Sequence, residues 1–180
     1  MHEKRFNAEI GRLRSAERLE RLEIDRVIGL SLEGLPVTSV LDVGTGSGVF
    51  AEAFSKKELS VTGIDANPDM IKVAKELVPG LAFQQATVEM MPFADASFDL
   101  VFLGLVLHEA DDLERALREC KRCARYSVNA LEWGYKQEEA GPPIEHRLKS
   151  DDVVAMATKV GFKKVTMVKL KTLLLYQFIV

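Results

Sequence analysis

The stretch Val40-Leu41-Asp42-Val43-Gly44-Thr45-Gly46-Ser47-Gly48-Val49-Phe50 limits the folds open to this chain more than any other. A β-branched, apolar run containing one acid reads as a strand buried on both faces. Three glycines at alternate positions follow, and an apolar helical pattern then begins. Glycine lacks a Cβ, so such a turn can take positive φ and lie flat against a ligand. The first N–H groups of the following helix point into the same space.

The glycine spacing separates ligand classes. A dinucleotide fingerprint reads G-x-G-x-x-G. Gly44 and Gly46 fit its first two positions, but its third falls on Val49, and the third glycine is Gly48. With Asp42 two residues ahead, this G-x-G-x-G resembles motif I of the class I S-adenosylmethionine-dependent methyltransferases. A second β-branched strand, Val61-Thr62-Gly63-Ile64-Asp65, ends in an acid 21 positions after Gly44. A carboxylate there can accept from two vicinal ribose hydroxyls, and the family places an acid at this point for that purpose.

The totals fit one domain of 180 residues, a length that buries about 70% of its unfolded surface. Apolar residues make 47% and charged residues 28%, an ordinary globular composition. A net charge of −3 argues against nucleic acid or anionic lipid as a partner. No apolar run reaches membrane-spanning length and Met1-His2-Glu3-Lys4-Arg5 is no signal peptide, so the expected location is cytoplasmic. Cys120 and Cys123 lie within a helical pattern, and a zinc site would need two more ligands, for which only His2, His108 and His146 exist. No metal site is expected.

Strands alternating with helices, then two closing strands, predict an α/β, mainly parallel sheet with helices on both faces. The resemblance, which runs from about Val37 to Val180, implies a doubly wound, Rossmann-like seven-stranded sheet of order 3-2-1-4-5-7-6 with strand seven antiparallel. Residues 1–35 read as one or two amphipathic helices capping a core of residues 36–180. Asn67-Pro68-Asp69 predicts a helix start, and Ser150-Asp151-Asp152 another, with Val153, Val154, Met156, Ala157 and Val160 inward. The fifth strand is expected over Ala124 to Leu131.

Membership of this family would make S-adenosylmethionine the cofactor. Asp42 would orient the amino end of its methionine moiety, and Gly44, Thr45, Gly46 and Gly48 would let the backbone approach it. Ala66 and Met70 would lie near an adenosine held by Asp65. Ala86 to Phe93 resembles the loop that closes on the adenine. The family often has Asp where Ala86 or Thr87 stands, so the Thr87 hydroxyl or a backbone group would substitute, with Val88 an apolar wall. Leu103 and Leu105 would lie near the sulfur.

His108 follows the fourth strand, over the ligand-binding edge of the sheet, and is the best titratable candidate near the methyl group. Trp133 could wall an acceptor pocket, with Glu145, His146 and Arg147 recognising a polar acceptor. The expected acceptor is a small molecule, since no basic or aromatic RNA-binding module and no Asn-Pro-Pro-Tyr-type amine motif is present. Two rivals are a methyltransferase-like module that binds but transfers nothing and an NAD(P)-binding oxidoreductase. Val49 at the third fingerprint position disfavours the latter.

Overall fold

The run Ser39–Val43 forms β1, whose last four residues are all buried. It lies between two parallel neighbours, β2 (Ser60–Asp65) and β4 (Phe98–Gly104). The computed structural model describes residues 10–180, so the first part of the predicted cap lies outside the described residues. The remaining strands are β3 (Ala82–Gln85), β5 (Ala124–Trp133), β6 (Lys164–Lys169) and β7 (Leu173–Ile179). One sheet results, of order β3-β2-β1-β4-β5-β7-β6, as expected. Only β7 runs antiparallel to its neighbours, β5 and β6.

Helices α1 (Ile10–Leu13), α2 (Ala16–Leu22), α3 (Ile24–Leu32), α4 (Val49–Ser55), α5 (Pro68–Leu77), α6 (Leu113–Cys123) and α7 (Ser150–Val160) complete the described fold. Alternation along the strands sends neighbouring side chains to opposite faces. Leu41, Val101 and Leu103 meet Leu117 of α6 and Ala157 of α7 on one face. Val40, Leu100 and Phe102 meet Val27 of α3, Phe54 of α4 and Ala74 of α5 on the other. Cys120 and Cys123 are both buried in α6, where burial raises their thiol pKa values.

Several local expectations change. Among the described residues the cap is three short helices, because Ser15 starts α2 as N-cap and Glu23, at φ 45°, breaks the chain between α2 and α3. β5 runs on to Trp133 and follows α6 with no connecting residue. Asn67 caps α5 with Pro68 in its first turn, as read from the sequence. Ser150 does not cap α7, since Lys149 occupies that position and the Ser150 hydroxyl bonds the Tyr176 hydroxyl at 2.8 Å. Val154 points outward, 38% exposed, because it lies off the side of α7 on which Val153, Ala157 and Val160 are buried.

Register fixes the ligand edge. Val43 pairs with Ile64 of β2 and Leu103 of β4, so three parallel strands finish level with one another. Their following loops therefore share one rim. Beneath it, Phe102 is fully buried between Phe50 and Phe54, at ring centroid distances of 4.6 and 5.3 Å. Phe102→Ala should cost about 3–5 kcal/mol of unfolding free energy, the usual range for emptying such a site. Urea denaturation of the two proteins measures it.

Candidate active site

The rim carries a cavity of about 940 Å³. Its floor is the turn after β1. Gly44 and Gly46 take φ of 65° and 53°, a region that side chains strain to enter. A Cβ on Gly44 would come within 2.1 Å of Val106, so the turn and the loop after β4 touch through a missing side chain. Thr45 N–H donates to the Ile64 carbonyl at 2.8 Å and holds the turn to β2.

Two carboxylates organise this floor. Asp42 is 1% exposed and its Oδ2 accepts from Thr45 Oγ1 at 2.7 Å and Ala51 N–H at 3.1 Å. Burial pushes its carboxyl up to about 7, against the pull of those two hydrogen bonds. Asp65 accepts from Gly46 N–H through Oδ2 and from Asn67 N–H through Oδ1, each at 2.9 Å. Ala66, Met70, Thr87 and Val88 join Asp65 on one side of the cavity. Ser47 Oγ is buried in the turn with no hydrogen-bond partner among the described residues. A glycine cradle, a ribose-spaced carboxylate and an unanswered hydroxyl on one wall fit an adenosyl amino acid.

The cap closes the cavity from above. Arg14 donates to the Ser47 carbonyl at 2.8 Å and to Glu52 at 2.7 Å. Arg12, Arg18 and Arg21 line the cavity. On the far side stand Leu105, His108 and Trp133. Leu105 takes φ 64°, a left-handed conformation rare for leucine, which turns the chain over the rim.

Three parts of the sequence-based site change. Gly48 is the N-cap of α4 and stands off the cavity wall, because a Cβ there would meet Val78 at 2.9 Å instead. Leu103 is fully buried beneath the rim, on the side of the sheet facing α6. Glu145, His146 and Arg147 are not on the cavity wall. Arg147 is 5% exposed and lies 5.2 Å over the Trp133 ring. Its guanidinium donates to the carbonyls of Gly134, Lys136, Ala140 and Pro142 and to Glu138, which consumes its fork inside the loop. The loop so folded presents Glu139 to Pro142 to the cavity instead.

Sequence reasoning missed Glu132. This residue is 1% exposed near the end of β5, and its Oε2 lies 2.7 Å from His108 Nδ1. Its only signal was an acid inside an apolar strand. Among the described residues no group of three His, Cys, Asp or Glu could hold a metal, and no helix is long and apolar enough to cross a membrane.

The family profile described as "Methyltransferase domain" matches residues 41–127, the segment from β1 into β5. A demethylmenaquinone methyltransferase of Chlorobaculum parvum is 36% identical over 92 residues, covering 51% of this chain and 38% of that protein. A malonyl-(acyl-carrier protein) O-methyltransferase of Serratia marcescens is 30% identical over 120 residues, covering 67% and 47%. The chain thus spans less than half the length of these curated relatives. The crystal structure of an S-adenosylmethionine-dependent methyltransferase from Aquifex aeolicus superposes with a TM-score of 0.85 at 25% identity, covering 94% of this chain and 96% of that one. The segment matched by that profile is a methyltransferase domain, and the fold is that of the class I S-adenosylmethionine-dependent methyltransferases. The cofactor of that family is S-adenosylmethionine.

Asp42 has a measurable pH signature. An acid raised on folding binds a proton in the native state between its ordinary 3.8 and about 7. Stability is therefore lost as the pH rises through that window. Asp42→Asn keeps an oxygen for Thr45 and Ala51 and removes the loss. In urea unfolding the variant should gain steadily on the parent from about pH 4 to about pH 7, then hold its advantage. Arg147→Met should release the loop it ties. Limited proteolysis should then cut between residues 134 and 146 at least 10-fold faster than in the parent, on the order expected when a buried network worth more than about 1.4 kcal/mol is lost.

Proposed function

We propose that this chain transfers a methyl group from S-adenosylmethionine to a small-molecule acceptor, acting as one methyltransferase domain with α1 to α3 as its cap. The observation that carries this is the pairing of the Gly44–Ser47 turn with the Asp65 carboxylate on one cavity wall. Asp65 would hold the ribose hydroxyls, and Ala66, Met70, Thr87 and Val88 the adenosine. Gly44, Thr45 and Gly46 would let the backbone lie along the methionine moiety, whose amino end Asp42 would orient. Leu105 would lie toward the sulfur.

The bound sulfonium supplies an already activated methyl group, so transfer needs an aligned nucleophile and a dry site more than a strong acid. Orientation of this kind is worth up to about 7–11 kcal/mol. The chain provides it by closing Leu13 and Arg14 onto the glycine turn and by walling the far end with Leu105 and Trp133. A cavity of about 940 Å³ accommodates a cofactor together with a modest acceptor. The names of the relatives, one a demethylmenaquinone and one a malonyl-(acyl-carrier protein) methyltransferase, support an acceptor that is not nucleic acid.

Titration calorimetry with S-adenosylhomocysteine, against NAD as control, tests the reading. S-adenosylhomocysteine should bind and NAD should not. Asp65→Ala should weaken S-adenosylhomocysteine about 10- to 150-fold, the loss of one or more hydrogen bonds to a charged group at about 1.5–3 kcal/mol. Tight binding of NAD, or undiminished binding by the variant, would contradict it.

A further inference from the structure

The far wall of the cavity holds a buried pair whose chemistry the cofactor site does not need. His108 sits in a short 3-10 turn, Leu107–Glu109, that leaves the end of β4. It is 7% exposed, and Glu132 beside it is 1% exposed. Two hydrogen bonds join them. Nδ1 meets Glu132 Oε2 at 2.7 Å, and the His108 backbone N–H donates to Oε1 at 3.3 Å. Trp133 N–H adds a longer contact to Oε2 at 3.4 Å. His108 is on the cavity wall and Glu132 is behind it.

A carboxylate inside an apolar strand is costly unless it is answered by a charge or a donor. Here the answer is the imidazole. With Nδ1–H committed to Glu132, the neutral ring keeps its lone pair on Nε2. Glu132 also stabilises the imidazolium that forms when Nε2 takes up a proton. The charged groups around the ring come from several elements. Glu109 Oε1 lies 3.9 Å from Nε2, Arg147 acts from the loop after β5, and Arg18 of the cap interacts with Glu109. Burial pushes the His108 pKa down, but Glu132 and Glu109 outweigh burial and Arg147, leaving it above its ordinary 6.5.

We propose that His108 is the proton acceptor of this site, positioned by Glu132, and that the compound methylated here is attacked through a hydroxyl oxygen. The proposal rests on the methyl-transfer reading above. A carboxylate acceptor is already ionised and has no proton to give. A thiol ionises by itself near neutral pH, with a pKa of about 8.5. An ammonium would set a second positive charge beside the sulfonium. A hydroxyl with a phenol-like pKa of about 10 is neutral, and only a base brings it to the reactive form at the moment of attack. The step balances. The hydroxyl oxygen forms a bond to the methyl carbon, and the carbon–sulfur bond breaks with its electron pair left on sulfur. The hydroxyl proton passes to Nε2, so the positive charge moves from sulfur to the imidazolium, which then returns its proton to solvent.

The test has two arms on the full chain. In the first, NMR follows the His108 ring across pH without cofactor. The parent should titrate above 6.5, and Glu132→Gln, which keeps the shape and removes the charge, should titrate lower. Equal titration in the two proteins overturns the proposal. In the second, labelled S-adenosylmethionine is offered with 4-methylphenol, 4-methylbenzylamine, 4-methylthiophenol or 4-methylbenzoate. The phenol should be the one methylated, with a rate that rises with pH through the His108 pKa and an inflection that moves down in Glu132→Gln. His108→Gln should lower kcat about 100-fold or more, as loss of a general base does, with KM and S-adenosylhomocysteine binding little changed. Preference for another probe, an unaffected His108→Gln, or no transfer to any probe by protein that binds S-adenosylhomocysteine would overturn the proposal. Failure of the parent to bind S-adenosylhomocysteine would instead sink the methyl-transfer reading. Should His108→Gln fail to fold, the Glu132→Gln titration still decides.

Discussion

Everything at the ligand edge hangs on Asp65 gripping the neighbouring strand's turn. One of its oxygens accepts from Gly46 and the other from Asn67. The first bond sets the path of the glycine turn, and the second sets the start of α5, whose N-cap is Asn67. The side chain that would meet a ribose therefore also shapes the backbone that would meet the rest of the cofactor. A charged acceptor between two backbone donors makes strong hydrogen bonds, so the cleft is arranged before any ligand arrives. Thr45 reinforces the grip by donating its N–H to the Ile64 carbonyl of β2.

The cap adds the third side of that arrangement. Arg14 reaches past the turn to Ser47 and Glu52, tying α4 and the glycine segment to the chain that covers them. Leu13, 6% exposed, closes the gap above Gly46. The same contacts hold the covering chain beside the glycine turn, at the edge of the cavity.

Much of this was legible in the sequence because local rules decide it. A strand ending at a glycine turn, an acid one crossover later and an Asn-Pro helix start are short-range signals, and the sheet order follows from the family resemblance. What failed was long-range or conformational. Leu103 and Leu105 are two apart in a strand pattern and should share a face. The left-handed backbone of Leu105 sends it to the opposite core instead, and no residue type announces that in a leucine. Arg147 reads as a ligand-binding cation until its five acceptors are seen within its own loop. Glu132 and His108 are 24 residues apart and meet only because β4 and β5 are neighbours.

The loop after β5 is bonded mainly to itself. Its guanidinium hub takes in four of the loop's carbonyls and lies over the Trp133 ring. Such a segment behaves as a removable cassette. Within the tip that faces the cavity, Glu139 to Pro142, only Gly141 is pinned by the frame: its φ is 90° and a Cβ there would meet the Trp133 ring at 2.8 Å, so the side chains around it can change while the hub and the indole stay.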